Sequence, residues 1–303
     1  MYKISNLLNN NNIRVLEQKG NIYVLEHTKD HSVTPNMAQV SYYSAAMNIK
    51  KRQVYIELED EGFVTSSGAM QWFIGDIEAS SNIKGVGDFF GKAIKGSITS
   101  ETTSKPLYMG TGSLMLEPTY KYIILEDLKD WGGSMILDDG LFMASQESVK
   151  HNITMRTNLS SAVLGNQGLF NLCLSGDGIV ALESPVPKNE LIVVDLKDDQ
   201  IKIDGNFAIA WSKTLEFTVE KSTKSLIGSA VSKEGFVNVY RGTGRILLAP
   251  VMSYPVETIE NDNNIIKKWF KSFFYLRRDK NVWRSYSRFW NSRYDFCYLF
   301  SKK

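Results

Sequence analysis

The sequence predicts an all-β protein built from three similar antiparallel units, and three observations predict it. A glycine-x-glycine step recurs at a constant interval of 66 residues, as Gly110-Thr111-Gly112, Gly176-Asp177-Gly178 and Gly242-Thr243-Gly244. Each step is followed in register by two aliphatics: Leu114, Val180 and Ile246 match, as do Leu116, Leu182 and Leu248. Alternate residues of a strand share a face, so these pairs are expected to line equivalent inner surfaces. The third observation is Ala144 and Ala210, which lie one further interval apart and carry the repeat beyond the glycines. The units fall near residues 45–118, 119–185 and 186–250. A sandwich whose hairpins merely look alike is the simpler alternative, and it is all-β as well.

Taken in order, residues 12–60 read as strands, with Ile22-Tyr23-Val24-Leu25 and the alternation of Val54, Ile56 and Leu58. Residues 1–37 form a β lead-in and 38–255 the three-unit domain. Within the first unit, 84–97 (KGVGDFFGKAIKGS) place Phe89, Phe90, Ala93 and Ile94 at helical spacing between glycines, which predicts a short helical insertion. The second unit carries Tyr122–Leu125, Ser134–Leu137 and, past an Asp138-Asp139-Gly140 turn, Leu141–Ser145. The third carries Leu191–Val194, Ile201–Ile203 and, past Asp204-Gly205-Asn206, Phe207–Trp211. Aspartate and glycine between apolar runs are ordinary turn chemistry. The six glycines Gly110, Gly112, Gly176, Gly178, Gly242 and Gly244 are read as hairpin turns or bulges, because glycine alone tolerates positive φ without penalty.

Residues 256–303 depart from this pattern. From 264 onward the chain has eleven Lys or Arg against two acids, leaving 24 basic and 31 acidic residues elsewhere. In IIKKWFKSFFYLRR (265–278), Ile266, Trp269, Phe270, Phe273 and Phe274 share a helical face, with Lys267, Lys268, Lys271 and Arg278 toward the other. An amphipathic helical tail is expected here. Its candidate contact residues toward a membrane or partner are Lys267, Lys268, Trp269, Phe270, Lys271, Phe273, Phe274, Arg277 and Arg278. Cations facing anionic headgroups, phosphate binding with base stacking, and packing on the β-body compete as its role.

Composition sets the class. Hydrophobic residues at 43% and charged residues at 22% suit a globular chain rather than a disordered or membrane-spanning one. No basic-then-apolar leader opens the sequence, and the two cysteines, Cys173 and Cys297, are too few for a disulfide framework; a cytoplasmic location is the expectation.

Four stretches, Gly68-Ala69-Met70, GLFMAS at 140–145, GLFNLCLSGDGIVAL at 168–182 and EGFVNVYRGTGRILLAP at 234–250, together with the glycine-bearing segment 84–97, carry a family resemblance. Over roughly residues 38–250 the chain resembles the bacterial and mitochondrial family called altered-inheritance-of-mitochondria protein twenty-four. The resemblance implies a pseudo-threefold β-sandwich or β-prism, similar in fold to the tryptophan RNA-binding attenuation protein. It implies self-association and supplies no catalytic site.

The motifs for chemistry are weak. GVGDFFGK (85–92) has Val86 where a phosphate loop needs glycine, and Ala93 where it needs a hydroxyl. No βαβ unit surrounds the glycine steps, and no Gly-x-Ser-x-Gly elbow occurs. His27, His31 and His151 are expected at the surface, and the acids Glu57, Glu59, Asp60, Glu61, Asp138, Asp139, Asp198 and Asp199 at strand ends. The expected function is therefore a non-catalytic scaffold or binding protein that self-associates, without cofactor, metal or small-molecule substrate. Peripheral membrane docking through the tail and RNA binding by fold analogy are the alternatives.

Overall fold

The computed structural model describes residues 2–80, 105–155, 170–221 and 236–251. The chain divides into a unit Met1–Met252 and a unit Ser253–Lys303, the second outside the described residues. The insertion expected at 84–97 and the tail helix also lie outside them.

The fold is β throughout, with one α-helix among the described residues. An N-terminal hairpin, β1 (Ile13–Lys19) and β2 (Ile22–His27), turns at Gly20 and leads to α1 (Ala38–Ala46). Four strands follow: β3 (Arg52–Glu59), β4 (Phe63–Thr65), β5 (Met70–Ser80) and β6 (Leu107–Leu116). The middle of the chain forms β7 (Tyr122–Asp127), β8 (Ser134–Leu137), β9 (Phe142–Gln146), β10 (Lys150–Met155), β11 (Phe170–Ser175) and β12 (Ile179–Ser184). The last part forms β13 (Ile192–Ile203), β14 (Ala208–Ser212), β15 (Glu216–Lys221) and β16 (Phe236–Leu248).

These strands make two antiparallel sheets. One runs β1-β2-β3-β6-β4-β9-β12-β7 with β5 on β6, and the other β10-β11-β8-β14-β16-β13 with β15 on β16. The first is nearly a closed barrel, because β1 comes back against β7. Side chains supply what backbone pairing does not. A bulge between Val15 and Glu17 brings Glu17 to accept from the Leu125 N–H at 3.1 Å. Lys188 Nζ donates to the Leu125 carbonyl at 3.0 Å and pairs with Glu17 at 2.6 Å. Satisfying free edge groups in this way closes the edge to foreign strands.

The middle strands pass between the sheets. One crossing, between β7 and β8, is a 3-10 turn at Leu128–Trp131 capped by Asp127, with Gly132 (φ +68) ending it. Trp131 is buried there and donates from Nε1 to Glu126 at 3.1 Å.

The glycine steps are corrected by this topology. Gly110-Thr111-Gly112 lies inside β6 and Gly242-Thr243-Gly244 inside β16, so neither is a hairpin turn. Only Gly176-Asp177-Gly178 interrupts a strand, at the corner where β11 in one sheet leads to β12 in the other. The glycines let a long strand kink and let its neighbour approach. Gly110 has φ +126, and a Cβ there would lie 2.0 Å from the Asp76 carbonyl oxygen on β5. Gly110→Ala is expected to cost about 2–3 kcal/mol, from overpacking and a strained φ together. At Gly68, whose φ is +76 and around which nothing lies within 4 Å, alanine costs only about 1 kcal/mol. Urea midpoints of the two variants check this contrast; equal losses would refute the close-approach account.

Two other readings change. Residues 35–46 form a 3-10 turn and α1 instead of continuing the strands, because Pro35 starts a first turn after Thr34 in extended conformation and Ala38, Gln39, Ala45 and Ala46 favour helix. The aspartates Asp198-Asp199 do not end a strand. They sit in a bulge within β13, with Asp198 at φ +50 and its N–H bonded to Thr243.

The interior holds three large apolar clusters. Leu114 and Leu116 belong to one, with Val24, Val54, Ile56 and Phe63. Val180 and Leu182 belong to a second, between the sheets, with Leu128, Trp131, Leu172 and Leu174. Ile246 lies in a third with Trp211 and Tyr240, and Leu248 packs against it. A smaller cluster on the outer face of β2, β3 and β6 joins Leu25, Tyr55 and Met115 to Ile4 and Leu7 of the N-terminal segment.

Candidate functional site

Chemistry-bearing side chains gather at four places. The first is a buried charge row across three strands. Arg14, Glu26 and Arg52 stand opposite one another on β1, β2 and β3. Glu26 and Arg52 are each 1% exposed and meet at 2.8 Å. Arg14 and Lys50 reach the other Glu26 oxygen at 2.8 and 3.5 Å. Arg52 also donates to the Asn48 carbonyl at 2.9 Å, and its guanidinium lies 4.1 Å from the Tyr122 ring centre. Both Glu26 oxygens are thus met by cations, as burial of a carboxylate demands, while the buried Arg52 Nε finds no partner among the described residues, and the row joins the hairpin to the β-body.

The second is His151, which the sequence placed at the surface. It is 7% exposed, its Nε2 lies 2.9 Å from Ser145 Oγ, and its ring meets Phe142 edge-on at 4.9 Å. The bond links β9 in one sheet to β10 in the other. Burial, and then the charge of Lys105, push the imidazole down to about 3, so it is neutral at physiological pH. A serine–histidine contact has the outline of an activated nucleophile. Here Ser145 is fully buried, and among the described residues His151 Nδ1 has no hydrogen-bond partner to orient the ring. The contact spans the two sheets. His27 and His31 fit the expected surface position better: His27 bonds Gln53 at 2.7 Å and the exposed His31 lies 3.2 Å from Asn12.

The third is an open groove of about 590 Å³ between the N-terminal segment and β3 and β6. Leu7, Leu8 and Leu58 form its apolar wall, and Tyr2, Tyr55, Glu57 and Ser113 its polar one. The polar side is internally bonded. Both Tyr2 and Tyr55 hydroxyls meet Ser113, at 3.1 and 2.9 Å, and Glu57 accepts from Tyr23 at 3.1 Å. Burial pushes the Tyr55 phenol above its ordinary range.

The fourth is α1. None of its residues is buried: Val40, Tyr42 and Tyr43 are 56, 72 and 60% exposed, and Met47, which caps its C-terminus, 74%.

The acid pairs expected at strand ends do not converge. Among the described residues no three of His, Cys, Asp and Glu are arranged to hold a metal ion, and no helix is long and apolar enough to cross a membrane. The phosphate-loop look-alike at 85–92 and the tail residues Lys267, Lys268, Trp269, Phe270, Lys271, Phe273, Phe274, Arg277 and Arg278 lie outside the described residues.

What fold and site define together is an all-β body whose buried polar groups tie neighbouring strands to one another. The chain belongs to the family described as Mitochondrial biogenesis AIM24, whose model matches residues 43–251. The family read from the sequence is thereby borne out. A crystal structure of a Streptococcus pyogenes protein is similar, at 21% identity over 73% of this chain and 94% of that one, with a TM-score of 0.48. No curated protein matches the chain.

Proposed function

We propose that the protein is a non-catalytic β scaffold of three units that associates with itself. The observation that carries the scaffold reading is where the buried polar groups point. Gln53 donates to the Leu116 carbonyl, Asn171 to the Leu137 carbonyl and Arg52 to Glu26, while Ser145 meets His151. Each of these bonds joins two strands, and none of these residues lines the groove between the N-terminal segment and β3 and β6.

The three-unit reading rests on pairing. β6 pairs with β3, β4 and β5; β11 and β12 pair with β7 to β10; β16 pairs with β13, β14 and β15. Each glycine-kinked run is thus flanked by strands of its own unit. β4–β9 and β8–β14 link one unit to the next. The matched aliphatic pairs fall one to each interior cluster.

Two measurements test the proposal. A serine-reactive fluorophosphonate is expected to leave the native chain unlabelled, and light scattering is expected to give a multiple of 34.3 kDa. Labelling at Ser145 overturns the non-catalytic reading, and a monomer at micromolar concentration overturns self-association. A second reading, peripheral docking through the tail, is favoured by the eleven basic residues of 264–303. Salt-sensitive co-sedimentation with anionic liposomes, lost on truncation after residue 262, is its expected result.

A further inference from the structure

We infer that α1 is the surface through which two copies of this chain meet, helix against helix. The inference rests on the self-association reading and deepens it by naming the contact. A nine-residue helix is marginal in water by itself and draws its stability from packing. Yet α1 buries no residue against the other described residues. Val40 and Tyr43 lie at i and i+3 on one face of α1, and Met47 caps its C-terminal end. Met37 and Ile49 flank the helix at 47 and 50% exposure. Tyr120, 55% exposed, extends the patch beside its C-terminal end, where Tyr122 bonds the Asn48 carbonyl.

Charge decides the occupant. From Thr34 to Ile49 there is no Asp, Glu, Lys, Arg or His, in a chain that is 22% charged. An anionic membrane or a nucleic acid attracts through cations, and this stretch has none. The lysines that follow are engaged, Lys50 with Glu26 at 3.5 Å and Lys51 with Asp30 at 2.8 Å. The hydrogen bond from Lys51 holds the Asp30 carboxyl far below the usual range. A two-fold axis sets each residue near its own copy or that copy's neighbours, so a self-contact must tolerate like beside like. A neutral helix does so without repulsion. Tyrosine and methionine are also the residues that protein interfaces favour, while Lys, Glu and Asp are depleted there.

The test uses the full chain and Tyr43→Glu with Met47→Glu, followed by sedimentation velocity across a dilution series. Both positions are exposed, so the urea midpoint of the diluted, dissociated chain is expected to stay put while the dissociation constant rises about 30-fold or more. Should the double variant misfold, Met47→Cys in a Cys297→Ser background replaces it. Mild oxidation is then expected to give a covalent dimer, and a Val15→Cys control none. If the parent chain is a monomer, self-association itself fails. If the parent associates and the variants neither weaken it nor cross-link, α1 is excluded while self-association stands. Loss of liposome binding by the variants of a monomeric parent assigns α1 to a membrane and overturns the inference.

Discussion

Arg52→Ala is expected to lower the unfolding free energy by about 3–5 kcal/mol, the range for removing one partner of a buried ion pair. The loss has three sources. Glu26, 1% exposed, keeps its charge and loses the partner buried with it. The Asn48 and Lys50 carbonyls, which accept from Arg52 at 2.9 and 3.2 Å, lose their donor. The Tyr122 face loses the cation stacked on it. Arg14, whose side chain is 59% exposed, cannot replace Arg52, because a solvated cation screens a buried carboxylate weakly. Replacing both members, Glu26→Leu with Arg52→Met, removes the uncompensated charge and is expected to cost less than the single change. Urea unfolding of the three chains checks this. A single-variant loss below about 1 kcal/mol would falsify the view that the row anchors the N-terminal hairpin.

Acid is expected to destabilise the protein through His151 before any perturbed carboxylate responds. In the unfolded chain this imidazole takes up a proton as pH falls through 6.5, while in the folded chain it does so only at about 3. Between those values the unfolded state binds more protons. The stabilisation is therefore complete above pH 6.5 and falls by about 1.4 kcal/mol for each unit below it. From pH 6.5 to 5 the expected loss is about 2 kcal/mol by the same relation. Asp30, Asp195 and Glu220, held below their ordinary values chiefly by hydrogen bonds from Lys51, Arg245 and Arg241, lose their contributions only below their ordinary values of 3.8, 3.8 and 4.5. The window above pH 5 thus isolates the histidine. His151→Gln keeps a polar group near Ser145 and has no proton to take up, so its stability is expected to be level across that window. A slope that survives in the variant would assign the acid sensitivity elsewhere.

These two residues show how much of the candidate site the sequence disclosed. Arg52 and Glu26 are 26 residues apart with a helix between them, and nothing in either local pattern marks them as a pair. His151 is the second residue of β10, after a Glu-Ser-Val turn, a place that reads as surface. It is buried because β9 and β10 join different sheets and the chain folds across it. The helix α1 hid for another reason, since Tyr and Val are strand formers and outvoted the alanines around them.

The sequence by itself determined the strand content, the three glycine steps, the aliphatic pairs that follow them and membership of the family. These are local properties. Glycine is favoured where φ is positive and required where a neighbouring backbone leaves no room for a Cβ, as at Gly110, and period-two alternation records which face of a strand is buried. Tertiary structure alone decided that Gly110 and Gly242 kink continuous strands, whereas the chain breaks at Gly176 to change sheets. It also decided that β1 returns to β7 through Glu17 and Lys188, and that the other described residues leave α1 uncovered. The physical reason is that alternation assigns a face and not a partner. Strand pairing depends on contacts far apart in the chain, which local sequence does not encode.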